Sequence, residues 1–166
     1  MGTIEQLKRK RVREGGKLTG KRINKNCQLQ YSWCWPAKVE ALIKPFVVGY
    51  SINVPAGLSD LGIVKGDIEP MGRNVIKMDM DKLPYPDDTF DTCIGDPPWK
   101  IPFFKRQRPF FELVRVCKVG GRIIYNSTWR PTSKYIELER VYLRTDNNWA
   151  NISAIWFFKK IKDITL

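Results

Sequence analysis

The chain of 166 residues has no histidine and only four cysteines, Cys27, Cys34, Cys93 and Cys117. Without imidazole, Ser-His-Asp and Cys-His catalysis are excluded, and any chemistry must run on other groups. No two cysteines form a CxxC pair, the tight spacing usual for zinc, so no metal site is expected. Cys93 and Cys117 sit inside apolar runs, where cysteine is most often a small core residue. Long apolar runs are missing too. None approaches the roughly 18 residues a membrane helix needs, and no signal-peptide core opens the chain. The expectation is a soluble, intracellular, cytoplasmic protein that makes no use of a membrane.

Acids are scarce relative to bases: 17 against 29 lysines and arginines, for a formal charge of +12. That balance suits a polyanionic partner, nucleic acid first and an acidic membrane surface second. Solubility alone is the plainer alternative. Much of the excess lies in residues 1–26, where "KRKRVREGGKLTGKRINKN" sets nine positive residues against Glu14. Gly15, Gly16 and Gly20 argue against a long helix, so this reads as a flexible arm that meets phosphates or as a solvated tail. Residues 27–166 are long enough for a single domain with a real core.

Pro36 is placed to begin a helix that carries Val39, Leu42 and Ile43 at helical spacing, and Pro45 closes it. Short apolar runs follow at 46–54, 63–70, 74–79 and 90–96, separated by loops such as "PAGLSDLG" and "KLPYPDD". They read as buried strands. A helix over 109–121 would carry Phe110, Leu113, Val114 and Cys117 on one face, with Gly120 and Gly121 as its cap. A fifth strand spans 122–128, and segments 136–146 and 151–161 read most simply as a hairpin. The pattern implies an α/β sheet, parallel at its centre. In such sheets ligands bind beyond the carboxyl ends of the strands. The 55–62 loop, the acids at 67–69, Asp79 and Asp96 all fall there.

"DPPW" (96–99) stops the fourth run, because neither Pro97 nor Pro98 can donate a ladder hydrogen bond. Asp96 is left at the strand mouth and Trp99 on a stiff backbone. The plain reading is a strand terminator with a core tryptophan. Directly after it, Lys100, Lys105, Arg106 and Arg108 interleave with Phe103 and Phe104. That mixture suits a nucleic-acid strand or flipped base, although the phenylalanines could equally be core.

The series "SINVPAGLS", "GDIEP", "NVIKMDMDKLPYPDDTFD", "DPPW" and "ELVRVCKVGGRIIYN" resembles the class I S-adenosylmethionine-dependent methyltransferases. It is especially similar to those that modify the N6 amine of adenine in DNA or RNA. The resemblance covers about residues 46–128. It implies a Rossmann-like, mostly parallel sheet with a C-terminal antiparallel hairpin, and S-adenosylmethionine as cofactor. Asn53, Pro55, Ala56 and Gly57 would then wrap the methionine moiety. Asp67, with Glu69 as fallback, would hold the ribose, and Asp79 with Met80 the adenine. Asn53, Pro55, Gly57 and Ser59 depart from the usual acid and alternating glycines: Asn53 can accept a hydrogen bond but adds no charge, and Pro55 is less free than glycine.

Within that resemblance the adenine amine, a poor nucleophile, would be met by the Asp96 carboxylate and the Pro97 carbonyl. Pro98 would stiffen the scaffold and Trp99 would stack on the base. Other acceptors, namely cytosine N4, guanine N2 or a protein amide, remain open. So does an inactive nucleic-acid-binding scaffold. With no recognition domain in view, a partner subunit or a homodimer is a further expectation.

Overall fold

The computed structural model describes residues 35–98, 101–144 and 152–164. The basic arm, Cys27, Cys34, Trp99 and Lys100 lie outside the described residues.

Seven strands form one sheet: β1 (Ser51–Asn53), β2 (Val64–Asp67), β3 (Val75–Lys77), β4 (Phe90–Gly95), β5 (Cys117–Ser127), β6 (Ile136–Arg144) and β7 (Ser153–Lys160). Their order is β3-β2-β1-β4-β5-β7-β6. The first five are parallel where they pair. β7 inserts antiparallel between β5 and β6, giving the expected hairpin. This is the Rossmann-like methyltransferase fold.

Among the described residues two α-helices cover the faces, α1 (Ala37–Ile43) and α2 (Gln107–Val116). Side chains alternate across the strands, so neighbours enter different cores. Ile123, Tyr125 and Phe158 pack with Phe110, Leu113 and Val114 of α2. Ile124 and Phe157 pack with Val39 and Ile43 of α1 and with Trp35. β4 is buried along nearly its whole length, as a central parallel strand requires. Cys93 and Cys117 are free, buried core thiols. Among the described residues, the connections β1–β2, β2–β3 and β3–β4 contain no helix.

The first strands are shorter than their apolar runs. The 46–54 run begins in a 3-10 turn (Lys44–Phe46), which also takes in Pro45, and only Ser51–Asn53 enters the sheet as β1. Gly49 lies between them at φ +64, and a Cβ there would fall 2.5 Å from Asp91 Oδ2. Side chains of β4 replace the missing ladder. Tyr50 N–H donates to Asp91 (2.8 Å), and Thr92 Oγ1 donates to the Val48 carbonyl (2.7 Å). Asn74, at φ 57, likewise keeps β3 from starting before Val75.

The second helix also differs from expectation. α2 starts earlier, at Gln107, and ends at Val116; Cys117 is already extended and pairs with Phe90. Gly120 and Gly121 do not cap it but sit in a bulge of β5, between the pairs Phe90–Cys117 and Thr92–Arg122. The closing carbonyls find long-range donors instead. Asp88 N–H donates to Arg115 O (3.1 Å) and Thr89 N–H to Val116 O (2.8 Å). The buried Lys160 ammonium donates to Cys117 O at 2.8 Å and to Asp88 Oδ1 at 2.6 Å.

Candidate functional site

Because β1 to β4 are parallel, their carboxyl ends share one edge of the sheet. A cavity of about 340 Å³ opens there. Pro55, Gly57, Asp67, Glu69, Asp79 and Met80 all line it, so most of the expected cofactor residues come together. Asp67 is the best held. Its Oδ2 accepts the Gly57 N–H at 2.9 Å and its Oδ1 the Glu69 N–H at 3.1 Å, which locks the carboxylate to the loop that follows β1. Asp79 is exposed at the rim, with Oδ1 accepting the Asp81 N–H at 2.9 Å.

Asn53 and Ala56 are buried and do not belong to the cavity lining. Asn53 Nδ2 donates to the Leu61 carbonyl at 3.2 Å, which ties down the loop, while Oδ1 has no partner among the described residues. Ala56 N–H donates to Gly66 O at 2.8 Å and joins the loop to β2.

The opposite wall of the cavity comes from Pro98, Ile101, Pro102 and Lys105. Of the basic residues read as phosphate contacts, Lys105 thus lines the cavity. Arg106 Nε donates to Ile101 O at 3.0 Å, and its guanidinium lies 5.3 Å from the Trp129 ring centroid. Arg108 and Lys105 both act on Asp81, whose carboxyl is held above its ordinary range by burial and by Asp79 against their opposing pull. Phe104 is 81% exposed and is no core residue.

Pro98 has a second surface. With Pro97, Arg106, Asn126 and Trp129 it lines a small recess of about 20 Å³. Asp96 is half-buried beside these residues and lines neither space; its Oδ1 accepts from Asn126 Nδ2 at 2.8 Å. Burial pushes its carboxyl up to about 6, opposed by the Asn126 hydrogen bond and the charge of Arg144. Burial, with Asp96 and Asp81 nearby, holds the Tyr125 phenol well above its ordinary value. The expected crevice is therefore two spaces with Pro98 in common. Asp67 and Asp79 line the larger, and Asp96 is placed beside the smaller.

Asn126, Trp129 and Asp81 were not anticipated. Asn126 had a usable signal: "IIYNS" puts a polar side chain at the carboxyl end of a buried parallel strand, as Asp67 and Asp96 are placed on theirs.

No protein-family profile and no curated protein sequence matches the chain. Solved structures do. The TehB-like SAM-dependent methyltransferase of Corynebacterium glutamicum superposes with a TM-score of 0.53 at 14% identity, over 72% of this chain and 85% of that one. The N-methyltransferase NodS of Bradyrhizobium japonicum gives 0.51 at 8% identity, over 75% and 92%. The Thermus thermophilus 16S rRNA N2 G1207 methyltransferase RsmC, in complex with AdoMet and guanosine, gives 0.50 at 9%, over 82% of this chain and 42% of that one. At such identities the likeness establishes the methyltransferase fold and nothing finer.

Proposed function

We propose that this chain is a S-adenosylmethionine-dependent methyltransferase acting on the exocyclic N6 amine of adenine in nucleic acid. The observation that carries the reading is that Pro98 borders both a roomy cavity at the strand ends and a recess beside Asp96. A methyl donor in the first and an acceptor amine at the second would meet where the two adjoin, as direct in-line transfer requires. The cofactor fits the cavity's chemistry, because a carboxylate pinned by two backbone N–H groups keeps lone pairs to accept both ribose hydroxyls. When bound, S-adenosylmethionine supplies a methyl already activated on a sulfonium.

The chain's own groups do the rest. Asp96 and the Pro97 carbonyl accept the N–H groups of the amine and favour a pyramidal nitrogen with an available lone pair. Trp99 stacks on the base. Lys100, Lys105, Arg106 and Arg108, with the arm at 1–26, meet the phosphate backbone. Nucleic-acid substrates and N-methyl transfer both occur among proteins of this fold, in RsmC and NodS.

A second reading, an inactive nucleic-acid-binding scaffold, is favoured by one observation: Asn53, in place of the usual acid, is buried, donates to Leu61 and does not line the cavity. Calorimetry with S-adenosylmethionine separates the two. Micromolar binding that disappears in Asp67→Ala supports the enzyme, and no binding supports the scaffold. Incubation with labelled cofactor and separate DNA and RNA pools, followed by nucleoside analysis, then identifies the acceptor. Label on cytosine, guanine or protein would replace adenine in the reading.

A further inference from the structure

Asn126, the penultimate residue of β5, is buried, and half of its amide is unsatisfied among the described residues. Nδ2 donates to Asp96 Oδ1 at 2.8 Å, while Oδ1 has no partner among the described residues. A buried amide oxygen without a partner weakens a fold, and a leucine of similar size would avoid that cost. Asp96 is unfavourable to the fold in the same place, since burial penalises its charge. Two neighbouring residues that each oppose stability, joined by one hydrogen bond, mark a spot shaped for something other than folding. The carboxylate also decides the orientation of the amide: an acceptor at Asp96 requires the Nδ2 end to face it.

We propose that Asn126 is a positioning residue that orients the Asp96 carboxylate and preserves it as a hydrogen-bond acceptor beside the Pro97–Pro98 recess. This rests on the reading of Asp96 given above. The other groups acting around Asp96 do not duplicate the role. Arg144, at the end of β6, acts on it through charge, and Tyr125, also on β5, is itself disfavoured as an anion by burial and by Asp96. Asp81 acts on Tyr125 and is not among the groups that shift Asp96.

The test follows the Asp96 carboxyl carbon by NMR in full-length protein with ¹³C-labelled aspartate, the signal being assigned with Asp96→Asn. In the wild type it should titrate near pH 6. In Asn126→Leu the midpoint should rise by about one pH unit, a tenfold gain in proton affinity. Asn126→Asp places a second acid against Asp96 and should raise it further. If either variant fails to fold, the other supplies the readout. In the methylation assay, Asn126→Leu should lose about half its kcat at neutral pH and recover it at higher pH, with KM for S-adenosylmethionine unchanged. An Asp96 midpoint that does not move overturns the proposal. A moved midpoint in a protein that methylates nothing would instead uphold it and overturn the enzymatic reading.

Discussion

Gly57 N–H donates to Asp67 Oδ2 at 2.9 Å, so the carboxylate that faces the cavity is also the strut of the loop after β1. Gly57 itself is at φ +53, where an L side chain is strained. One substitution therefore bears on both binding and folding. Asp67→Ala frees the Gly57 and Glu69 amides at once and should cost about 2–3 kcal/mol of stability. Asp67→Asn keeps an acceptor for one of the two and should cost about half of that, while still weakening S-adenosylmethionine binding at least tenfold. Thermal denaturation alongside calorimetry checks the pair. Equal loss of stability in both variants would show that the loop is held by other contacts.

Asp96 has the opposite character. Its folded value near 6 exceeds the ordinary 3.8. The native state therefore binds the proton more tightly than the unfolded chain does. Stability contributed by this group is present at low pH and is lost as pH rises from about 4 to 6. Asp96→Asn should then be more stable than the wild type at pH 7, by up to about 2–3 kcal/mol, and no more stable at pH 4. Methyl transfer should be abolished in the same variant, and wild-type kcat should rise with pH through about 6 as the acceptor ionises. Urea unfolding of both proteins at the two pH values, with rates across the range, provides the measurement. A destabilised variant at neutral pH would contradict the assigned charge penalty.

Arg115 explains why the proline-rich loop before β4 keeps one shape. Its guanidinium donates to the Tyr85 and Leu83 carbonyls at 2.8 and 3.1 Å, and to Asp87 and Glu112 at 2.8 Å each. Glu112 in turn accepts the Leu83 N–H at 2.9 Å. Burial pushes the Glu112 carboxyl up, but Arg115 and Leu83 outweigh it and hold it below its ordinary value. A depressed acid stabilises above its unfolded value and loses that contribution as pH falls through the folded one. Arg115→Ala should therefore cost about 2–3 kcal/mol at pH 7 and flatten the decline in stability below about pH 4.5. Lysine cannot span both carbonyls and both acids, so Arg115→Lys should recover only a minor part. Proteolysis at 83–88 offers a second readout of a loosened loop.

The parallel centre of the sheet was legible because short apolar runs end on polar or small residues, as at Ile52–Asn53, Gly66–Asp67 and Ile94–Asp96; the spatial order of the strands was not. Nor were strand lengths. Gly49 and Asn74 turn the chain through left-handed conformations that an apolar pattern does not register. The same limit applied to the site. Asp67 and Asp79 were readable as strand-end acids, but whether Asn53 faces the cavity or Leu61 depends on a loop closed by hydrogen bonds of its own. Lys105 read as a phosphate contact by its basic neighbours; that the 3-10 turn at Phe103–Lys105 also places it at the cavity was not visible in the local sequence.

The end of α2 shows the same effect of distant residues, and it leads to a stability prediction. A glycine cap is a local signal, whereas this helix is closed by Asp88, Thr89 and Lys160, the last 45 positions from Arg115 in sequence. Lys160 is 1% exposed, and its ammonium bonds to Asp88 Oδ1 and Cys117 O, the favourable sign of charge for a helix carboxyl end. Lys160→Met preserves the stem's packing but leaves those acceptors open, and should cost about 1–3 kcal/mol, moderated because Asp88 reaches solvent. Asp88→Ala should cost more, because it strands a buried cation and puts alanine at φ 54. Asp88→Gly removes the backbone strain and leaves only the lost partner. The double variant Lys160→Met with Asp88→Gly should consequently be more stable than Lys160→Met and Asp88→Gly combined additively. Chemical denaturation of the four proteins measures that coupling. A coupling of zero would mean that the ion pair does not hold α2 to β7, and that the Asp88 and Thr89 amides alone close the helix.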